Sequence, residues 1–256
     1  NSDKVALDFL GGETTFGELG QHIDALAAAM QQTLGVKKGD RIALLMPNCP
    51  FFPAAYYAAL KIGATVVNCN PLYTVVELSH ILKNSDARFI VTTDLELTFS
   101  KAEALINEGL AEGAIVAHFP NALPGLKKFL FKIFKGRDLS KPQSSSIAGK
   151  ISNYEDFVAA NGTPTPVDIT PDDPAVLQFT GGTTGLPKAA VLTHGNIAAN
   201  LSQIDLWGID LFRPPNSLVA VLPFFHIFAM TVCMNTPLTN GLKVVMLPRY
   251  EKKQLL

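Results

Sequence analysis

The sequence predicts an α/β protein in which helices cover sheets. Three observations carry this. Short β-branched apolar runs alternate with stretches of helical period over most of the 256 residues. Two segments open on Thr followed three residues later by Glu, the reciprocal cap of a helix start. Gly and Pro punctuate the junctions between elements, and that alternation is what layered helix and sheet require.

In order along the chain, "KVALDFL" (4–10) reads as a strand. Thr15 with Glu18 then caps a helix whose Leu19, Ile23, Leu26 and Met30 recur at helical spacing. "DRIALLM" (40–46), bounded by Gly39 and Pro47, predicts a buried strand. The stretch 51–62 predicts a helix and "ATVVNCN" (64–70) a strand, after which Thr74 and Glu77 open the next helix. "ARFIVTT" (87–93) and "GAIVAHF" (113–119) close two further strand–helix repeats, so this half predicts a doubly wound sheet.

Between about 139 and 174 the composition turns to Ser, Pro, Asn and Asp, as in "SKPQSSSIAGK" and "NGTPTPVDITPDDP", around one short helical piece. A boundary is placed there. It separates a first α/β subdomain (1–150), with a basic amphipathic segment near 126–137, from a second (151–256) that carries a Gly/Thr loop. Beyond it come strands "AVLQF" (175–179) and "AAVLT" (189–193), a helix near 195–207, the strand "NSLVAVLPF", an apolar helix near 227–239, and the strand "LKVVML" (242–247). The chain begins with Asn1 and stops in "PRYEKKQLL", where another helix is starting, so it is expected to be part of something longer.

A net charge of −1 with 17% charged residues argues against a nucleic-acid partner, which calls for a basic face. The partner is expected to be small. Cys49, Cys69 and Cys233 are odd in number, scattered and without metal-ligand spacing, which fits buried thiols in a reducing compartment. No apolar run reaches the roughly 18 residues of a membrane span.

The stretch "FTGGTTGLPK" (179–188) holds three glycines, three threonines and one lysine. Gly181, Gly182 and Gly185 allow successive amides to converge, Thr180, Thr183 and Thr184 add hydroxyls, and Lys188 adds a charge. That set suits a polyphosphate. The Walker A pattern fails, because Pro187 precedes Lys188 and Ala189 follows it, and the flanks read as strands with no helix N-terminus between them. A plain Gly/Thr hairpin turn is the alternative.

"FTGGTTGLPKAAVLTHGN" resembles the nucleotide-binding signature of the AMP-forming acyl-CoA synthetases, the adenylate-forming superfamily. The double glycine is similar to the form found in bacterial long-chain fatty-acid–CoA ligases. Gly181 stands where Ser is common and Ala189 where Gly is common. The resemblance continues in "MPNCPFFPAAYYAALKIGATVVNCNPLYTVVELSHILKNSDARFIVTT" (46–93) and "VLPFFHIFAM" (221–230), in family order. It implies the large N-terminal domain of the adenylate-forming fold, without the C-terminal lid. The implied activity of the parent is ATP-dependent conversion of a fatty acid, through acyl-AMP, to acyl-CoA. ATP, Mg²⁺ and coenzyme A are the implied cofactor and substrates.

The resemblance further implies that Thr180, Gly181, Gly182, Thr183, Thr184, Gly185 and Lys188 bind the nucleotide, with Thr180 or Thr184 offering a hydroxyl to magnesium. Lys188 and His226 are the implied catalytic residues. By the same resemblance, the family's ribose-binding aspartate, acidic magnesium ligand and lid lysine are expected past residue 256. A ligase for another carboxylic acid, one that stops at acyl-AMP, and a noncatalytic lipid-binding module are the alternatives. A homodimer is left open. The expected location is the cytoplasm, with attachment to the inner face of the membrane also left open.

His226, in "LPFFHIF", is expected at the first turn of an apolar helix, where it positions the substrate carboxylate instead of moving a proton, since that carboxylate has none to lose at neutral pH. A half-buried structural histidine is the alternative. Phe224, Phe225, Phe228 and Met230 line an acyl pocket or belong to the core. "LKKFLFKIFKGR" (126–137) interleaves Lys127, Lys128, Lys132, Lys135 and Arg137 with aromatic and aliphatic residues. It suits either an anionic lipid surface or a helix packed on its own domain with snorkelling lysines. For His194 a capping or supporting role is expected. His22, His80 and His118 carry no functional expectation.

Overall fold

The computed structural model describes residues 2–180, 187–208 and 210–248. Strands β1 (Val5–Phe9) and β2 (Gly12–Thr15) form an antiparallel pair ahead of helix α1 (Phe16–Gln32). The predicted reciprocal cap is present: the Glu18 N–H donates to Thr15 Oγ1 at 3.1 Å, and the Thr15 N–H donates to Glu18 Oε2 at 2.7 Å. There follow β3 (Arg41–Leu45), α2 (Phe51–Lys61), β4 (Thr65–Asn68), α3 (Val75–Ser85), β5 (Ala87–Thr93), α4 (Glu96–Asn107) and β6 (Gly113–Ala117). Helix α3 carries the second predicted cap, from Thr74 and Glu77.

Helix α5 (Gly125–Lys135), strand β7 (Ile151–Asn153) and helix α6 (Tyr154–Ala160) lead through an irregular stretch to β8 (Pro174–Thr180) and β9 (Lys188–Thr193). Helix α7 (His194–Trp207), strand β10 (Ser217–Ala220), a π-helical segment (Ala229–Asn235), α8 (Thr236–Thr239) and β11 (Lys243–Met246) complete the described chain. The apolar helix expected over 227–239 is therefore mostly π-helical. Its run of apolar residues signals burial, but nothing in such a run distinguishes i→i+4 from i→i+5 pairing.

Two sheets result. The large one has the order β7-β6-β5-β3-β4-β8-β9, parallel throughout except for β9, which pairs antiparallel with β8. The small one has the order β10-β11-β1-β2. Both draw strands from either side of residue 150, since β8 pairs with β4 and β11 with β1. The stretch over 139–174 runs between strands of one sheet, from β6 through β7 to β8.

The alternation of side chains along β3 explains the layering. Ile42 and Leu44 face a core that contains Leu26 and Met30 of α1, Phe52 and Tyr56 of α2, and Leu7, Phe9, Val244 and Met246 of the small sheet. Ala43 and Leu45 face the opposite core, built on Leu78, Ile81 and Leu82 of α3 and Phe99, Leu105 and Ile106 of α4. Helix α2 is enclosed between the two sheets, and its alanines 54, 55, 58 and 59 are fully buried. Each large aliphatic side chain in these cores contributes about 1.5–3 kcal/mol. Cys49, Cys69 and Cys233 are unpaired and buried, and burial pushes the Cys49 and Cys69 thiols up to about 12. No helix among the described residues is long and apolar enough to cross a membrane.

Two half-buried histidines couple this packing to pH. His22 of α1 lies against Tyr154, its Nδ1 3.4 Å from the phenol oxygen. Burial holds its pKa below the ordinary imidazole value, opposed only by Glu18. His194 is lowered too, chiefly by burial, and its Nε2 is buried with no partner among the described residues. An imidazole with a depressed folded pKa takes up its proton more readily when unfolded, so its stabilising contribution is full above about pH 6.5 and declines as pH falls. Carboxylates such as Glu18 and Glu112, lowered by hydrogen bonds, act only at more acidic pH. Thermal unfolding should therefore show Tm falling between about pH 7 and pH 5.5, and the double variant His22→Gln, His194→Gln should flatten that slope. A wild-type Tm that is constant or rising on acidification across this window would contradict the assignment.

Candidate functional site

Because β3, β4 and β8 are parallel, their C-terminal ends open on the same edge of the large sheet, the edge where sheets of this kind hold ligands. The segment that follows β10 crosses above this edge, and three buried amides lie beneath it. Asn48, just past β3, donates from Nδ2 to the Leu222 carbonyl at 3.0 Å and accepts the Phe224 N–H at 2.8 Å. Gln178 of β8 donates from Nε2 to the Phe225 carbonyl at 3.1 Å. That bond fixes Gln178 with its Oε1 turned toward Asn68 of β4, whose Nδ2 donates to it at 3.1 Å. The orientation leaves Asn68 Oδ1 buried and without a partner among the described residues.

His226 follows this pinned segment and ends at the helical turn that leads into the π-helical segment. Its N–H donates to the Pro223 carbonyl, and its own carbonyl accepts from the Met230 N–H, both at 2.9 Å. The side chain is exposed and lines a cavity of about 280 Å³ together with Asn68, Asn70, Tyr73, Gln178 and Thr180. The structure thus brings His226 and Thr180 to one cavity, although they are distant in sequence. Thr180 ends β8, Lys188 begins β9, and the two are direct cross-strand partners with exposed side chains. Gly181, Gly182, Thr183, Thr184 and Gly185 lie outside the described residues. As the sequence predicts, the Gly/Thr stretch joins strand to strand.

The residues of the expected acyl pocket divide. Phe224 and Met230 are fully buried core, Phe228 is exposed, and Phe225 is half-buried. Phe225 also lines a second, largely apolar groove of about 540 Å³ together with Leu72, Leu97, Val221, Leu222 and Pro223. The polar cavity and the apolar groove therefore meet at one side chain. His194 is not the cap of α7; that role belongs to Thr193, paired reciprocally with Asn196, while the His194 N–H donates to the Asp173 carbonyl.

Among the described residues no three His, Cys, Asp or Glu side chains converge on a cation site. A hydroxyl such as that of Thr180, beside phosphate oxygens and water, fits magnesium carried in with a nucleotide rather than an all-protein cage. Asn48, Asn68 and Gln178 were not singled out in the sequence. The signal was there, since each is a polar side chain at or near the end of an otherwise apolar strand run, where burial demands a partner.

Helix α5 lies apart from this cavity. At 100° per residue Leu126, Phe129, Leu130, Ile133 and Phe134 share one face, and they are between 40% and 76% exposed. The helix is held on its other side, where Phe131 packs on Phe119 with ring centroids 5.6 Å apart and Lys127 donates to the Leu10 carbonyl at 2.7 Å. Its apolar face points outward.

Against known proteins, the profile of the AMP-binding enzyme family matches residues 1–256. The chain is 34% identical over 262 residues to a long-chain-fatty-acid–CoA ligase of Bacillus subtilis, covering 99% of this chain and 45% of that protein. It is 36% identical over 237 residues to the enzyme of the same name from Escherichia coli O6:H1, covering 90% and 41%. In structure it matches ATP-bound MatB from Rhodopseudomonas palustris with a TM-score of 0.77 at 21% identity, covering 100% of this chain and 44% of that one, which shows a shared fold. The chain thus spans under half the length of the curated relatives it matches.

Proposed function

The chain belongs to the AMP-binding enzyme family, and from that premise we propose that the whole protein activates a long-chain fatty acid with ATP. The carboxylate attacks the α-phosphorus, forming the acyl–phosphate bond of acyl-AMP and releasing pyrophosphate. The coenzyme A thiol, giving up its proton to solvent, then attacks the acyl carbon to form the thioester, and AMP leaves with the electron pair of the broken carbon–oxygen bond. The observation that carries this reading is the single cavity lined by both Thr180, at the mouth of the Gly/Thr loop, and His226.

The first step brings one anion against another, so charge must be gathered before attack. Loop residues Thr180, Gly181, Gly182, Thr183, Thr184 and Gly185 would cradle the β- and γ-phosphates through amides and hydroxyls, and Lys188 would add its ammonium. Thr180 or Thr184 would offer a hydroxyl to Mg²⁺, whose charge neutralises phosphate oxygens when bound. His226 would orient the carboxylate at the cavity wall. The apolar groove that meets the cavity at Phe225 supports an aliphatic chain as substrate, each buried methylene contributing about 0.8 kcal/mol. An acid of another shape, or release at acyl-AMP, is the second reading.

Helix α5 supports a further element of the proposal, contact with an anionic lipid surface from which a fatty acid could be drawn. The reading rests on the outward apolar face, flanked by Lys127 and Lys132.

ATP–pyrophosphate exchange by the full-length protein across short to long straight-chain acids is the test of function. Exchange should be greatest with long chains, and Lys188→Ala or Thr184→Ala should lower it about tenfold or more. Wild-type exchange by both variants would overturn the loop assignment. In vesicle sedimentation, the full-length protein should bind anionic more than zwitterionic vesicles, and the pair Phe129→Ser, Phe134→Ser should weaken that binding about tenfold or more. Equal partitioning of wild type and variant would remove α5 from the proposal.

A further inference from the structure

We propose that His80 is a positioning residue for the phosphate-binding loop, an inference that rests on the reading of that loop given above. His80 Nε2 lies 3.2 Å from the carbonyl oxygen of Pro187, the residue immediately before Lys188. A carbonyl can only accept, so Nε2 carries the proton and donates. Pro187 has no N–H of its own, and this carbonyl is its one backbone handle. Among the described residues no other side chain hydrogen-bonds to Pro187 or Lys188.

The two partners differ sharply in how firmly each is held. Helix α3 is anchored by the Thr74–Glu77 cap and by the burial of Leu78, Ile81 and Leu82 on either side of His80. Asn84, one turn on, donates to the His80 carbonyl at 2.7 Å, and its Nδ2 also lies against the imidazole ring. Strand β9 has no such anchorage. It is the edge of the large sheet, and residues 188–191 are exposed, so the start of the strand is held by its ladder with β8 and by His80. A rigid helix from one part of the chain thereby fixes the exit of the loop and, one residue on, the point from which the Lys188 ammonium reaches. A group that acts only by placing Lys188 should alter capture of the polyphosphate and leave acid recognition alone.

The test is ATP–pyrophosphate exchange by the full-length protein carrying His80→Ala, His80→Leu, His80→Gln or Lys188→Ala, with thermal unfolding of each. Ala and Leu remove the donor, while Gln keeps an N–H within similar reach. Ala and Leu should raise KM for MgATP about fivefold, as expected for one ordinary hydrogen bond, with kcat and KM for the acid within about twofold of wild type. Gln should restore KM for MgATP to within about twofold of wild type. Unchanged KM for MgATP in the Ala and Leu variants, while Lys188→Ala raises it, would overturn the inference and leave the loop reading standing. Unchanged KM in Lys188→Ala as well would overturn both. Loss of the folded state in both donor-less variants would assign His80 to stability alone and likewise overturn the inference.

Discussion

The geometry of the candidate site depends on buried side-chain amides that tie the segment after β10 to the ends of the central strands. The carbonyls of Leu222 and Phe225 and the N–H of Phe224 belong to no helix or strand, yet they sit over a packed sheet edge. Each would lose about 1–3 kcal/mol if buried without a partner. Asn48 and Gln178 satisfy them, and in doing so set the height and direction of the segment that presents His226. Gln178 has a second consequence. Its bond to Phe225 dictates which way its amide faces, and so which way Asn68 faces, leaving the buried Asn68 Oδ1 without a partner among the described residues.

Around these fixed points the fold combines a firm base with an exposed edge. The parallel strands β3, β4 and β5 are buried on both faces, as strands covered by helices on each side must be. The Gly/Thr stretch leaves the end of β8 and returns on β9, the outermost strand, so its two ends stand on the accessible margin of a rigid sheet. A polyphosphate is large, charged and strongly hydrated, and a margin of this kind admits it more readily than an interior pocket would.

Much of the architecture was legible because its signals are local. The Thr–Glu pairs at 15/18 and 74/77 form helix starts through contacts three residues apart, and short apolar runs such as 41–45 and 87–93 become strands wherever two covered faces exist. What escaped depends on distant partners. The amides at 48, 68 and 178 acquire meaning only when three strands bring them together under residues 222–225. The parallel pairing of β1 with β11 joins opposite ends of the described chain and leaves no local trace. The composition of α5 marked it as amphipathic, but which face would turn outward was set by Phe131 seating on Phe119. At the Gly/Thr stretch the order of strand, loop and strand was readable, and the cross-strand match of Thr180 with Lys188 came from the register.

We propose that the cavity lined by Thr180 and His226, with Lys188 across the ladder from Thr180, holds a triphosphate beside a carboxylate. A crystal structure of the full-length protein with a non-hydrolysable MgATP analogue and a fatty acid tests it most directly. The β- and γ-phosphates should lie against the amides of residues 181–186 and the Lys188 ammonium, with the α-phosphate turned toward the cavity that His226 lines. A nucleotide bound elsewhere, with Lys188 directed away from it, would contradict the claim.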